Sequence, residues 1–329
     1  MVIIDEVSMV RADLLDNIDV FLRKNREDNR PFGGVQMVFF GDLFQLPPVV
    51  ATEEERHLFK TEYDSPYFFS AHVFQEFSMD MVELGKIYRQ DNRHFIRLLE
   101  AVRNNAIDHE DLEDLNERYI GQLESTENHI TLSATNATVN RINQRELDNL
   151  ETSPQVFIGK VEGQFDARLY PTELVLSLKI GAQVMFIKND PDGKFVNGTI
   201  GQVVKLSDSN IKVQLEEEST ETITVPKMEW EILRYTINEK DEGKLDTEVA
   251  GKFIQYPLKL AWAITIHKSQ GKTFDKMIID LGRGAFAHGQ TYVALSRCRT
   301  LEGIVLKKRL RLQDILVDER IVEFYNQHF

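Results

Sequence analysis

The chain has 329 residues, which is enough for two or three domains that each bury a core. Its 42% hydrophobic and 28% charged residues, with no long apolar run, basic leader or cysteine pair, exclude a membrane span, a secretory signal and a disulfide framework. The net charge is −14, yet residues 251–311 hold twelve lysines and arginines against three acids. Either a basic surface that binds a polyanion or a solvated lysine-rich face explains that asymmetry.

The first predicted elements are two apolar strands with a helix between them. Residues 1–4 form an apolar run typical of a parallel strand, and residues 35–40 form a second one. Between them, residues 11–24 place Leu14, Leu15, Ile18 and Phe21 at helical spacing. Strand, helix and strand in this order predict a parallel βαβ unit.

The remaining elements indicate α/β regions on either side of a β-rich segment. Residues 91–105 predict a helix, residues 130–135 a strand, and the stretch to residue 150 another helix. Short strands with glycine-containing turns then predict a small antiparallel barrel at residues 174–186, 198–206, 211–215 and 221–225. From residue 257 the pattern predicts α/β structure again: strands at 258–263, 277–281 and 303–306, and helices at 289–299 and from 312.

Two adjacent carboxylates, Asp5 and Glu6, follow the first apolar strand. Open parallel sheets bind ligands at the carboxyl ends of their strands. In a Walker B element, the first carboxylate at such a position holds Mg²⁺ and the second orients or deprotonates the attacking water. The pattern predicts a phosphoryl-transfer site, although a surface Asp-Glu pair after an apolar run is the alternative.

The second strand ends in Gly41-Asp42, and Gln45 follows before Pro47-Pro48. Because the two strands of a βαβ unit end side by side, Gln45 is expected near Glu6, where its amide can reach a γ-phosphate or its water. A proline-terminated turn capped by Asp42 is the alternative. Two polar strand ends at one edge favour the functional interpretation.

Two arginines occupy positions suited to a triphosphate. Arg89 opens the second α/β region, and Arg297 is expected to project from the last turn of a helix that packs through Val293 and Leu295. A planar guanidinium stabilises the charge that develops during phosphoryl transfer. The alternatives are a surface arginine at position 89 and a helix-dipole partner at position 297.

Residues 263–273 contain the strongest polar run. Thr265 can cap a one-turn helix that Gly271 ends, so that the intervening polar groups are presented together. Such a turn can bind nucleic-acid phosphates. The run also ends like a phosphate-binding P-loop, but Ile266 stands where that loop requires glycine.

Together these residues resemble the Pif-type and RecD-like branch of superfamily-1 DNA helicases, in the family's motif order and over nearly the whole chain. The matching segments are residues 3–9 (motif II), 41–48 (motif III), 88–90 (motif IV), 265–271 (motif V) and 292–297 (motif VI). The resemblance implies an α/β fold of RecA-like, P-loop NTPase-type parallel-sheet domains, the first incomplete, with an inserted small SH3-like β-barrel. The implied domains are 1–85 for the first motor domain, 86–155 with 256–329 for the second, and 156–255 for the barrel.

The same resemblance implies ATP and Mg²⁺ between the motor domains, with single-stranded DNA across their tops. Asp5 would bind Mg²⁺ and Glu6 would activate water. Gln45 would sense the γ-phosphate, with Arg89 and Arg297 as arginine fingers. Gly271 would also contact the nucleotide. The implied DNA contacts are Thr265, His267, Lys268, Ser269, Gln270 and Asn197.

The activity implied is that of a monomeric, ATP-dependent 5′-3′ DNA helicase of repair or recombination, acting on single strands and duplex junctions. Its location would be cytoplasmic, and nucleoid-associated in a bacterium. One departure is large, because the family's Gly-rich phosphate loop, which precedes motif II, does not occur in this sequence. We therefore expect the chain to be a fragment that does not hydrolyse ATP at a useful rate alone. A non-catalytic nucleic-acid-binding module and a related motor acting on RNA are the alternatives.

Overall fold

A computed structural model describes residues 1–77, 79–121, 129–208, 210–215, 222–237 and 245–329 of the chain. They form two compact units, of which the first comprises Met1–Thr135 with Thr265–Phe329 and the second comprises Asn136–Ile264. The finer division into two motor domains and a barrel stays a prediction. Among the described residues, no helix has both the length and the apolarity to cross a membrane.

The helices and strands alternate in the first unit, while strands dominate the second. In chain order they are β1 (Val2–Ile4), α1 (Ala12–Arg26), β2 (Met37–Phe39), α2 (Glu53–Thr61), α3 (Arg93–Arg103), α4 (His109–Asn116), β3 (Ile130–Ser133), α5 (Asn136–Asn149), β4 (Gln155–Ile158), β5 (Lys160–Gly163), β6 (Val175–Leu178), β7 (Gln183–Phe186), β8 (Ile200–Ser207), β9 (Asn210–Leu215), β10 (Thr222–Val225), β11 (Met228–Ile237), β12 (Leu245–Gln255), β13 (Leu258–Leu260), β14 (Ala263–Thr265), β15 (Met277–Asp280), α6 (Gln290–Ser296), β16 (Ile304–Leu306) and α7 (Glu319–His328).

The predicted βαβ unit at the start of the chain is confirmed. β1 and β2 pair in parallel, with Val2 opposite Met37, and α1 connects them. Leu15 of α1 is fully buried, whereas Leu14 and Phe21 are exposed, so helical spacing alone overstated the buried stripe. Both strands therefore end at one edge, and that edge carries the motif II and motif III residues.

The carboxyl-terminal part of the first unit contains a second parallel sheet. β15 lies between β3 and β16, and all four residues of β15 are buried. The predicted helix at 91–105 is confirmed as α3, whose apolar stripe is buried and whose amino end Asn92 caps. The helix predicted from residue 312 is wrong, because α7 begins only after Asp318, whose carboxylate accepts the Arg320 N–H.

The second unit is built from antiparallel strands, as its alternating apolar pattern predicts. Five strands follow the order β10-β9-β8-β7-β13 and bury a core that includes Phe186, Val203 and Val213. The sequence predicts α/β structure from residue 257 onward, but β13 (Leu258–Leu260) still pairs with β7 of this antiparallel sheet. The predicted boundary is therefore wrong by several residues. Sequence analysis also missed the long hairpin of β11 and β12. Of the predicted strand 221–225, Glu221 lies outside the described residues.

Candidate functional site

The two predicted carboxylates lie in a strained turn directly after β1. Glu6 adopts a left-handed backbone conformation with φ of 51°, and its N–H donates to Oδ1 of Asp5 over 2.9 Å. Gly41, at the end of β2, allows close approach here, since a Cβ on it would lie 3.0 Å from the nitrogen of Val7. Left-handed non-glycine residues are uncommon and concentrate at functional sites. The two adjacent carboxylates therefore lie in different environments: Asp5 is exposed and Glu6 is half-buried.

The charges around Glu6 come from segments far apart in the sequence. Burial and the neighbouring Asp5 raise the pKa of Glu6, while Arg297 and Arg89 act in the opposite direction. Asp42 contributes a further rise. The carboxylates of motifs II and III and both predicted arginine fingers therefore lie within electrostatic range of one another inside one compact unit. A carboxylate with a raised pKa is better suited to accept a proton from water near neutral pH.

Arg297 is buried, with only 2% of its surface exposed, so the expectation that it projects from the helix is wrong. Its Nε donates to the Val293 carbonyl over 3.2 Å, and its Nη2 donates to Oγ of Ser296 over 3.0 Å. Burial and repulsion from Arg89 lower the pKa of Arg297 to about 10. Among the described residues it has no carboxylate ion pair. The tertiary fold covers a side chain that helix periodicity alone leaves at the surface.

Arg89 binds the same helix end from another segment. Its Nε donates to Oγ1 of Thr273 over 3.0 Å, and its Nη1 donates to the Ser296 carbonyl over 3.2 Å. Gln90 is buried and donates to the carbonyls of Ser296 and Cys298. Motif IV is thus fixed against motif VI by neutral acceptors, and two guanidinium groups remain close together without neutralisation. Such a pair favours a bound anion.

Asp42 both caps its turn, as the structural alternative predicted, and joins motif III to the end of α3. Its Oδ1 accepts from the Phe44 N–H and from Nη2 of Arg103, at 3.1 and 3.3 Å. Tyr292 lies within electrostatic range of this carboxylate, and burial together with Asp42 raises the pKa of Tyr292. Sequence reasoning assigned no role to Arg103 or Tyr292, because nothing in a helical pattern shows which partner a polar side chain will meet.

Gln45 lies at the expected strand edge, but its amide is only loosely held. Its Nε2 lies 3.5 Å from Oδ2 of Asp42, and its Oε1 is buried without a hydrogen-bond partner. Gly289, which precedes α6, lies against the backbone here, since a Cβ on it would be 2.3 Å from the Phe44 carbonyl oxygen. A buried unpaired acceptor is unusual, so Gln45 has capacity to bind a ligand or water.

His288 provides another link that the sequence did not indicate. Its Nε2–H donates to the Leu43 carbonyl over 3.0 Å, and its Nδ1 accepts the Asp318 N–H over 2.9 Å. This arrangement requires the neutral imidazole, and burial lowers the pKa of His288 accordingly. His288 therefore holds motif III against the start of α6 and the start of α7.

The predicted polar turn at 265–271 is confirmed as a short 3₁₀ helix, His267–Ser269. The helix is preceded by Ile266 and ends at Gln270, so the predicted cap and end residues are each displaced by one position. Thr265 still accepts the Lys268 N–H at 3.3 Å, and Gly271 follows with φ of 73°. Ser269 is buried and its hydroxyl is bonded to the Ile266 carbonyl, so it is not freely presented. Both polar atoms of the Gln270 amide are buried without a partner.

The other predicted contacts differ in accessibility. Lys268 and Gly271 are exposed, whereas His267 is half-buried and burial lowers its pKa. Asn197 is exposed and lies in the second unit, where its N–H donates to Oδ1 of Asn189. The structure thus brings together motifs II, III, IV and VI around Glu6, and it presents the motif V turn as a compact polar element.

Comparisons with known proteins point to one family. The model of the PIF1-like helicases matches residues 1–113, and that of the 2B domain of the DNA helicase Pif1 matches residues 166–206. The chain is 34% identical to the human ATP-dependent DNA helicase PIF1, with 98% of the chain and 48% of the relative covered. It is 32% identical to the ATP-dependent DNA helicase Pif1 of Campylobacter jejuni, with 100% and 75% covered. The chain thus spans about half the length of the human relative.

Solved structures give the same picture of the fold. Bacteroides Pif1 bound to single-stranded DNA is 41% identical with a TM-score of 0.81, and the match covers 99% of this chain and 74% of that one. Pif1 helicase from Candida albicans is 29% identical with a TM-score of 0.82, covering 99% and 76%. The predicted RecA-like α/β fold is confirmed by these matches.

Proposed function

This chain belongs to the family of Pif1-like DNA helicases, and on that basis we propose that it is part of an ATP-driven motor that moves along single-stranded DNA and separates duplex strands. One observation carries the proposal: Glu6, Arg89 and Arg297 lie in electrostatic contact inside one compact unit, although almost 300 residues separate the first from the last. Carboxylates opposite unneutralised guanidinium groups suit a nucleotide whose phosphates lie between them.

Each residue then has a defined task. Arg89 and Arg297 bind the transferred phosphoryl group, because neither forms a direct ion pair with a carboxylate among the described residues. Glu6 accepts a proton from the attacking water, which its raised pKa favours. Gln45 orients that water or the γ-phosphate through the amide oxygen that has no partner. Gly271 is proposed to approach the nucleotide, because it is exposed and lies two residues before Thr273, which accepts a hydrogen bond from Arg89.

Asp5 fits the role of magnesium ligand. Its carboxylate is exposed at the carboxyl end of β1, and one oxygen is oriented by the Glu6 N–H. No group of three or more metal-binding side chains occurs in the part of the chain that the structure describes. Mg²⁺ commonly takes one or two carboxylates and completes its shell with water and phosphate oxygens, so Asp5 suffices as the protein ligand. The ion would neutralise phosphate charge between the carboxylates of motif II and the two arginines.

DNA binding is assigned to the motif V turn. We propose that His267 and Lys268 contact backbone phosphates and that the unpaired amide of Gln270 completes the contact. The buried Thr265 and Ser269, both predicted DNA contacts, hold the turn in shape through their own hydrogen bonds. Asn197 of the second unit is the proposed additional contact. The substrates are single strands and duplex junctions, translocation runs 5′ to 3′, and the motor works as a monomer in the cytoplasm or on the nucleoid.

Nucleotide binding tests this proposal directly. Anisotropy of a fluorescent ATP analogue with Mg²⁺ should reveal binding by the chain that weakens about tenfold or more in Arg89→Ala. Arg56→Ala is the matched control, because Arg56 is an exposed arginine of the same unit that pairs with Glu53 and lies outside the motif residues. Since the sequence lacks a Gly-rich phosphate loop, we expect weak binding and slow hydrolysis. Equal affinity in Arg89→Ala and wild type would contradict the assignment.

A catalytically silent nucleic-acid-binding module is the second candidate, because that missing loop removes the main phosphate-binding element. Salt-dependent binding of single strands without any nucleotide binding would favour it. A motor acting on RNA would instead bind a ribonucleotide strand more tightly than the DNA strand of the same sequence.

A further inference from the structure

A group of cationic side chains follows the carboxyl ends of β15 and β16, and none of its members belongs to the motifs considered so far. We name it the basic edge, and its members are Arg283, Lys307, Lys308, Arg309 and Arg311. The two strands pair in parallel with Ile279 opposite Leu306, so the loops that follow them leave the sheet side by side. A concave site of about 210 Å³ lies between these loops.

Hydrogen bonds hold the two loops together. Nζ of Lys308 donates to the Gly282 carbonyl over 2.6 Å, and Nη2 of Arg311 donates to the Arg283 carbonyl over 3.1 Å. The carboxyl edge of a parallel sheet is the usual ligand-binding edge of α/β proteins. The basic edge is therefore an ordered surface at a favourable position and not a mobile tail.

Two of these cations, Lys307 and Arg311, pair with acids that lie beneath them. The side chain of Lys307 is 46% exposed and that of its partner Asp280 only 5%. The side chain of Arg311 is 53% exposed and that of its partner Asp314 only 5%. These two ion pairs therefore present their positive ends to solvent, whereas Arg309 pairs with Glu113, whose side chain is 64% exposed. Arg283 is exposed and has no ion-pair partner among the described residues, which adds an unneutralised charge.

We propose that the basic edge is a second DNA contact, which binds backbone phosphates independently of the motif V turn. Several separated, exposed cations on a shallow surface suit a chain of phosphates better than one small anion. Phe286, in the loop that follows Arg283, is 62% exposed and offers a ring on which a base can stack. The proposal rests on the DNA-binding function proposed above, and it gives a role to five of the twelve lysines and arginines of residues 251–311 in a chain of charge −14.

The test removes two charges of the basic edge and compares salt dependence. Binding of fluorescein-labelled oligo(dT) is measured between about 50 and 200 mM salt for wild type and for the Arg283→Gln/Lys308→Gln double variant. Losing two phosphate contacts should lower the salt slope by about 1.4 and weaken binding at 0.1 M salt by about 25-fold. Lys24→Gln/Lys60→Gln is the control, since it makes the same charge change at exposed positions near the ends of α1 and α2.

The outcomes separate this proposal from the proposed function. If wild type binds and Lys268→Gln weakens binding, but the double variant keeps the wild-type affinity and slope, the basic edge is not a DNA contact and the function stands. If wild type does not bind DNA, both fail. An equal loss in the control would assign the effect to net charge and overturn the proposal. Circular dichroism of the variants must match wild type, and protection of residues 307–311 from hydrogen exchange by bound oligo(dT) provides a readout independent of the substitutions.

Discussion

Replacing Arg297 with methionine should make the isolated chain more stable, although Arg297 is a proposed nucleotide ligand. The guanidinium is buried and charged at neutral pH, and its hydrogen bonds go only to neutral acceptors. A buried charge without a counter-ion opposes folding, and an apolar side chain of similar length does not. The chain thus sacrifices stability at a position that a bound phosphate would neutralise.

The size of the effect follows from the pKa of Arg297. A decrease from 12.5 to about 10 corresponds to roughly 3 kcal/mol against the charged folded form, at about 1.4 kcal/mol per pH unit. Because the group is a base and its folded pKa is the lower one, this destabilisation is fully present at pH 7 and is relieved only above about pH 10. Methionine loses two hydrogen bonds, each worth about 1 kcal/mol, which leaves a net stabilisation of about 1 kcal/mol.

The assay must report on the first unit separately. Trp230 and Trp262 both lie in the second unit, so the tryptophan fluorescence transition in urea should not change. Hydrogen exchange of the α6 amides reports on the surroundings of Arg297 and should become slower in Arg297→Met. Arg103→Met is the matched control. Burial opposes its charge, but Asp42 and two tyrosines hold the pKa of Arg103 above its usual value, so its removal should destabilise by about 1–3 kcal/mol.

Faster α6 exchange in Arg297→Met, by the equivalent of 1 kcal/mol or more, would refute the reasoning. It would mean that attraction to Glu6 and Asp42 outweighs burial and repulsion from Arg89. Arg297 would then be a structural counter-ion, and the case for a nucleotide ligand at this position would weaken.

Three further predictions concern stability. Between about pH 7 and 5 the free energy of unfolding should fall less in His288→Gln than in wild type. The reason is that the lowered pKa of His288 makes the folded chain bind this proton less readily than the unfolded chain does. Equal acid sensitivity of the two proteins in a pH series of urea unfolding would contradict this. Phe186→Ala should destabilise the second unit by about 3–5 kcal/mol in the tryptophan transition, since Phe186 is fully buried, whereas the exposed Ile158→Ala should change it by less than about 0.5 kcal/mol. Asn92→Ala should cost about 1 kcal/mol and speed exchange in the first turn of α3, because Asn92 caps that helix.

The sequence pattern alone predicts an element correctly where the fold buries the same residues that the pattern marks as apolar. The stripe of Phe95, Leu98 and Val102 predicts α3 with its correct buried face, because helical spacing and the core lie on the same side. The same rule placed Leu14 on a buried face, yet it is exposed, since burial depends on which other element packs there. β13 was assigned to the wrong unit for a related reason, because strand propensity does not identify the partner strand.

The candidate site divides in the same way. Asp5, Glu6 and Gln45 were predictable because strand ends and short polar runs are local features. Arg103, Tyr292 and His288 were not, because each acquires its role from an interaction with a distant segment.

The sequence by itself determined which residue types stand at the ends of the parallel strands, and therefore the class of chemistry available to them. Only the tertiary structure decided that Arg297 is buried within electrostatic range of Glu6, that Asp42 is held by α3, and that Lys307 faces solvent above Asp280. The physical reason is that charge–charge energies depend on distance and burial, and both are properties of the folded chain that no local pattern contains.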